Sequence, residues 1–567
     1  MIPITSTDRA SPIPRSTADG PGGRILPASP ASLTLLASIP NMAVVKRVKL
    51  ICNPCGGIPR HRALLGLLLL AMCGGTMFGQ GAPPLVVVNW AKKTPNHATP
   101  TLQAVVNPML RRGSPIHDAA FAALHGLGCD YVRYAFWFPY PKLAVAELRP
   151  PDQNQTYWDF QYMDPLVEDF QTASNGHPIV WSFSTPPQWM FTTPQPVVYP
   201  DDPNQVMWNY SQGKELRDVQ ALADYYGRVA SWYMQGGFTD ELGKYHASGH
   251  HYDMRYWEVF NEVDGEHEPT PAQYVERYDA IVEAVRKVAP QMKFVGLALS
   301  YPEGGAHMFE YFLDPKNHKP GIPLDYISFH VYADPSADQT LDQWQYTFFA
   351  RANEFLAATR YILRIRDRLS PATKVMINEA GSILSGDMFQ GEPNHVEKPI
   401  PAAYWNLSGA LYAYDYLELT QLGVDTAGES QLVGFPSQFP SVSMVDWTTG
   451  KPNARLTVLE LLKNNVGPGD DLADTEVKNN GMPADTDAIA AQAFVTSSQT
   501  GSQSGSQRKL VLINQRNREI PVELPKECAG ATLQTIGGES PNLVKRDVGD
   551  LTVRLLPFSV SVVTLKD

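Results

Sequence analysis

Residues 255–262 read RYWEVFNE, that is Arg255-Tyr256-Trp257-Glu258-Val259-Phe260-Asn261-Glu262, and a helix start follows within ten residues. Aromatic and β-branched side chains dominate the stretch, which predicts a strand. Thr270-Pro271-Ala272-Gln273 is a capping box with proline at the first helical position. Apolar side chains then recur at Tyr274, Tyr278, Ile281, Val285 and Val288, one stripe on one helical face. Arg286 and Lys287 suit the negative end of the helix dipole, and Pro290 stops it. Strand passes directly into helix, so this is a βα unit.

The same unit repeats in both directions. Strands are predicted over 102–106, 130–137, 178–185, 255–262, 293–299, 325–332, 374–379 and 424–428. Helices are predicted near 114–126, 159–173, 216–236, 271–289, 304–313, 341–369, 402–422 and 452–465. Eight such units build either a closed parallel barrel or an open doubly wound sheet. No glycine-rich phosphate loop follows the first strand, which disfavours the open sheet. The expected fold is a (β/α)8 TIM barrel over 99–467, with its active site at the carboxyl ends of the strands. Short alternating runs after residue 470 predict a C-terminal β-sandwich over 468–567, which residues 82–98 join with an N-terminal strand. Residues 497–507 (SSQTGSQSGSQ) are read as a flexible loop between two strands of that domain.

Composition narrows the function. The chain has 567 residues, 58 acidic against 46 basic side chains, and 43% hydrophobic content, so it is a folded protein and no basic nucleic-acid binder. The first 80 residues hold eight of the basic and two of the acidic residues, leaving 38 basic against 56 acidic, a net of −18. Residues 1–81 therefore read as a disordered leader ending in a secretory signal. Arg60-His61-Arg62 is its basic region and 63–71 a short apolar run. Met42 is a candidate start. Leu70-Ala71-Met72-Cys73 is similar to a lipidation box, except that Met72 stands where a small residue is expected. The expectation is export to the periplasm or cell exterior, with no stable membrane span after signal cleavage. Cys52-Asn53-Pro54-Cys55 has no second pair to complete a zinc site. No metal or organic cofactor is expected, and GxSxG, HExxH and Walker motifs are absent.

By strand count Glu262 closes the fourth strand and Glu379, in Val375-Met376-Ile377-Asn378-Glu379, the seventh. Each follows an asparagine. Two carboxyls facing each other across a barrel mouth are what glycoside hydrolysis needs: one kept protonated for the leaving oxygen, one ionised opposite it.

At these residues the chain resembles the clan A glycoside hydrolases and is most similar to glycoside hydrolase family 39, which holds β-xylosidases and α-L-iduronidase. Ser184-Thr185-Pro186-Pro187-Gln188-Trp189-Met190 is similar to that family's loop after strand three, and Leu556-Pro557-Phe558-Ser559-Val560 to the end of its β domain. Phe260-Asn261-Glu262-Val263 stands where the family has Trp-Asn-Glu-Pro, and Ala380-Gly381 also departs from it. The resemblance implies Glu262 as acid/base, Glu379 as nucleophile, Arg133 as a partner for Glu379, and His330 with Tyr332 at the end of strand six donating to the nucleophile or lining the sugar site. Asn261 is expected to bond the sugar's 2-hydroxyl. Trp137, Trp189 and Trp447 are candidate stacking surfaces for sugar faces. The implied activity is an exported retaining glycosidase removing terminal sugars from an oligosaccharide or polysaccharide. An endo-glycanase on the same barrel and a non-catalytic carbohydrate binder are the open alternatives, and the stretch 382–399 after strand seven bears on whether the site is a pocket or a cleft.

Overall fold

The computed structural model describes residues 82–566, apart from 196–197, 209, 211–212, 336–338, 390–398, 435–438, 479–487 and 501–502. The leader, its signal segment and Cys73 lie outside the described residues, as does much of the stretch 382–399.

Eight parallel strands close into a barrel: β1 (Thr99–Val105), β2 (Val132–Ala135), β3 (Ile179–Ser182), β4 (Tyr256–Glu258), β5 (Lys293–Leu299), β6 (Tyr326–Ala333), β7 (Lys374–Ser382) and β8 (Thr426–Ser430). They are neighbours in chain order, and β8 pairs with β1. The eight predicted helices are present, among them α4 (Pro271–Val288) with the Thr270–Gln273 capping box formed, α6 (Leu341–Leu369), α7 (Ala402–Leu422) and α8 (Ala454–Lys463). Helix α7 is buried nearly all round. It lies between β7 and the C-terminal sheet, which explains why its sequence is apolar on every side.

The C-terminal domain is a nine-stranded mixed sheet. Strand Leu85–Pro95 enters it antiparallel to Asp471–Lys478 and parallel to Ile520–Glu523. Strand Gln503–Asn514 shows the period of two. Leu510 and Leu512 join the sheet's own core, while Val511 and Ile513 belong to the cluster shared with the barrel. Leu533 and Val553, from opposite ends of the strand order, share that inner core, so the sheet rolls over on itself as a sandwich does. The described residues of the low-complexity run do not form a loop. Its backbone extends the hairpin, with Ser497 opposite Ser506 and Thr500 opposite Gln503, because Ser, Thr and Gln accept an extended ladder as readily as a coil.

Two corrections concern the site. Strand β4 ends at Glu258, so Glu262 lies four residues beyond the ladder and not at its end. Phe260 and Glu262 have φ of 68° and 40°, left-handed values outside the extended region of regular strands. Glu379 sits within β7 rather than closing it, paired with His330 of β6 across an irregularity in the register.

Candidate active site

Arg133, on β2, is the centre of the construction. It is 1% exposed, and its guanidinium donors are spent on surrounding acceptors. Nε donates to Glu258 Oε2 at 2.6 Å, Nη1 to Gln103 Oε1 at 2.8 Å and to Glu379 Oε1, and Nη2 to Asn261 Oδ1 at 2.5 Å. Glu258, fully buried on β4, is completed by Ser328 Oγ at 2.9 Å and Asn378 Nδ2 at 2.5 Å. A buried charge survives only when paired and hydrogen-bonded, and both conditions hold here.

Glu379 faces this cation from β7. Its other oxygen lies 2.5 Å from the Tyr332 hydroxyl, which is also 2.5 Å from Ser430 Oγ. A phenol has one proton, so when Tyr332 donates to Glu379 the Ser430 hydroxyl donates to Tyr332. Gln103 Nε2 donates to Ser430 Oγ at 2.8 Å and closes the ring of contacts.

Glu262 is set by its backbone. Its N–H donates to the Ala298 carbonyl at 2.8 Å, and its own carbonyl accepts from the N–H groups of Gly265 and Glu266, each at 2.8 Å. Asp264 ties the same loop to the segment after β5, accepting from the Ser300 and Tyr301 N–H groups at 2.9 and 2.8 Å. These bonds hold a non-glycine residue in the left-handed region, a strain that persists only where the surroundings over-determine it.

Between the carboxyls lies His330, with Nδ1 facing Glu262 Oε1. Its Nε2 is buried with no partner among the described residues. The proton on the short bond can sit on either side: a protonated Glu262 donates to Nδ1, and an ionised Glu262 accepts from it.

The two carboxyls are driven apart electrostatically. Burial raises the Glu262 carboxyl, and the charge of Glu379 adds to this, while the bond from His330 opposes it; the result is above the usual range. Burial would also raise Glu379, but His330, Arg133 and the bonds from Tyr332 and Arg133 outweigh it and hold the carboxyl below the usual range. Burial lowers the His330 imidazole, yet the adjoining carboxylates leave it raised overall. One ligand atom from each of Glu262, His330 and Glu379 lies within 4.8 Å of the others, a spacing that would also admit a cation. Arg133 already places a positive charge on Glu379, which opposes a metal at that point.

Both glutamates open into one cavity of about 330 Å³. Gln103, Trp137, Asn261, Tyr332 and Gln431 line it with polar or aromatic groups, and Val105, Ala135, Ile383, Phe439 and Val442 supply apolar wall. Asn261 is oriented by Arg133 on one side and by Glu266 on the other, to whose Oε1 its Nδ2 donates at 2.8 Å. Trp137 Nε1 donates to the same oxygen at 2.8 Å. Arg133 and His330 stand behind the wall, holding the carboxyls. Trp189 donates its indole N–H to the Glu147 carbonyl at 2.9 Å, and Trp447 packs against the barrel core; neither lines the cavity. Reading from sequence missed Glu258, Gln103, Ser430 and Phe439. Glu258 carried a signal, since a carboxylate between Trp257 and Val259 on a buried strand demands a partner.

No family model matches the chain, and no curated protein matches it. Solved structures do. A glucosidase from Croceicoccus marinus superposes with a TM-score of 0.55 at 14% identity, over 86% of this chain and 99% of its own. An α-L-arabinofuranosidase from Thermotoga maritima gives 0.55 at 14%, over 85% and 99%. A monomeric β-xylosidase from Caulobacter crescentus CB15 gives 0.53 at 13%, again over 85% and 99%. At these identities the likeness is one of architecture alone: the chain shares the fold of these solved structures, an eight-stranded parallel barrel with a β domain.

Proposed function

We propose that the chain is a retaining glycoside hydrolase that removes terminal sugar residues from an oligosaccharide or polysaccharide. One observation carries this reading: Glu262 and Glu379 meet in a single cavity, with the first held above and the second below the usual carboxyl range. Such a split assigns the acid and the nucleophile. Glu379 attacks the anomeric carbon as Glu262 gives its proton to the glycosidic oxygen, and the leaving alcohol departs. Glu262, now ionised, takes a proton from water, whose oxygen attacks the same carbon and releases Glu379. Neither step calls for a cofactor.

The approach of the two carboxyls, oxygen to oxygen within 4.8 Å, supports retention; inverting pairs stand roughly 6.5–9.5 Å apart to admit a water. The cavity is near the small end of ligand sites, about 300–1,000 Å³, which supports action on a chain end over action within a polymer. Within the clan we favour family 39, on Ser184–Met190 and Leu556–Val560. Export directed by the leader belongs to the same proposal.

A panel of 2-deoxy-2-fluoro glycosides followed by peptide mass mapping tests it. The expected result is a covalent sugar on the peptide containing Glu379. A label on Glu262 would reverse the roles. Absence of any label, with wild type and Glu379→Ala equally inert on every aryl glycoside, would overturn the reading in favour of a carbohydrate binder.

A further inference from the structure

Phe439 lines the cavity with its backbone at φ 50° and ψ 72°, a left-handed conformation rare for so bulky a side chain. Its ring is nearly parallel to that of Trp137, 6.1 Å away at 29°, and meets Trp208 edge-on at 5.7 Å. Trp137 is itself fixed by Glu266. Both rings line the cavity that holds the two carboxyls. Sugar rings present C–H faces, and aromatic rings are their natural counterpart.

Left-handed backbone at a phenylalanine must be paid for by its surroundings. Two residues on, Ser441 is held by a buried clamp. Ser441 is fully buried, and every polar atom it has is engaged. Its N–H donates to Asp387 Oδ2 at 2.9 Å, and its hydroxyl donates to the same oxygen while accepting from the Leu384 N–H at 3.0 Å. Its carbonyl accepts from Arg455 Nη1 at 3.2 Å. Arg455, also fully buried, donates Nε to Glu429 at 2.9 Å and Nη2 to the Ser430 carbonyl. Asp387 comes from the segment after β7 and Arg455 from the first turn of α8. The clamp therefore joins three elements beneath one wall, and Gly434 stands so close to Phe439 that a Cβ on it would lie 2.5 Å from the Phe439 carbonyl oxygen.

We propose that Phe439 is a specificity-determining wall of the sugar site and that Asp387 and Arg455 are positioning residues that hold it there through Ser441. The proposal rests on the glycosidase reading above. Asp387 and Arg455 touch no substrate; they act by keeping a strained aromatic against Trp137.

A double-mutant cycle tests it, on the aryl glycoside whose sugar labels best in the fluoro-glycoside panel. Phe439→Ala is expected to raise KM about tenfold, with kcat changed much less, because stacking is lost equally from ground and transition states. Asp387→Asn is expected to raise KM in the same direction. The double variant is expected to be no worse than Phe439→Ala alone, since Asp387 acts through that ring. Should Asp387→Asn fail to fold by circular dichroism, Ser441→Ala, which removes only the hydroxyl, takes its place in the cycle. Fully additive effects would overturn the positioning role, and a KM within twofold of wild type in Phe439→Ala would overturn the wall. Either result with Glu379 labelled leaves the glycosidase reading standing. A wild type that no fluoro-glycoside labels, and that is as inert as Glu379→Ala on every aryl glycoside, sinks both.

Discussion

Nδ1 of His330 lies 2.9 Å from Oε1 of Glu262 and 3.6 Å from Oε1 of Glu379, so one buried imidazole touches both carboxyls of the site. It lowers each of them, through a hydrogen bond and charge at Glu262 and through charge at Glu379. Protonation at one carboxyl is therefore linked to protonation at the other.

The pH profile of kcat/KM follows from the signs. Glu379 must be ionised, and its low position places the acid limb below the ordinary carboxyl range. Glu262 must be protonated, and its raised position carries the alkaline limb above that range. His330→Ala removes an influence that lowers both, so both limbs should move to higher pH. Stopped assays of the variant across the pH range check this; limbs that stay in place would mean His330 is electrostatically silent.

Arg133 offers a test that reports on stability as well. Arg133→Leu leaves Glu258 and Glu379 buried without their common cation, at a cost of about 3–5 kcal/mol, visible as a lower urea midpoint. Glu379 loses a group that lowers it, so the acid limb should rise in whatever folded protein remains. An unchanged midpoint would contradict the network.

The barrel was legible because its signals are periodic and punctuated. The Thr270–Gln273 box, the stripe from Tyr274 to Val288 and the stop at Pro290 all name one helix, and seven similar units repeat it. The geometry of the acid was not legible. Left-handed turns are usually announced by Gly or Asn, but here Phe260 and Glu262 take the positive φ, and bonds to Ala298, Gly265 and Glu266 hold Glu262 there. Those partners lie on other segments or form only once the loop has folded. The same holds for the aromatic wall. Trp189 and Trp447 looked as eligible as Trp137, since side-chain type carries no direction. Phe439, in a Pro-rich loop, had no period at all. Glu258 was within reach, as a charge on a buried strand that required an answer.

Tyr332→Phe deletes the phenolic proton and leaves the ring. Hydrogen bonds to charged groups are worth about 1.5–3 kcal/mol, which corresponds to a fall of roughly ten- to a hundredfold if the bond serves the ionised nucleophile. The expected change is in kcat for formation of the glycosyl-enzyme, with a modest fall in melting temperature because the buried Ser430 hydroxyl loses its acceptor while keeping the bond from Gln103. Rapid-mixing measurement of the first turnover separates this step. A loss confined to KM would place Tyr332 in binding alone.

The last test separates the roles of the two glutamates by the basicity of the leaving group. Proton donation is worth about 10²–10⁴-fold when the departing oxygen needs it and little when it does not. Glu262→Gln keeps the side chain's shape and removes the transferable proton. On an alkyl glycoside its first turnover should fall by that factor. On a dinitrophenyl glycoside the fall should nearly vanish, because the phenolate leaves unaided. Glu379→Gln has no such escape, since attack on the anomeric carbon is required of every substrate. A leaving-group-dependent loss in the Glu262 variant and a uniform loss in the Glu379 variant is therefore the pattern expected of these positions. Equal losses in Glu262→Gln on both substrates would mean that its carboxyl does not protonate the glycosidic oxygen, however well its raised position suits the task.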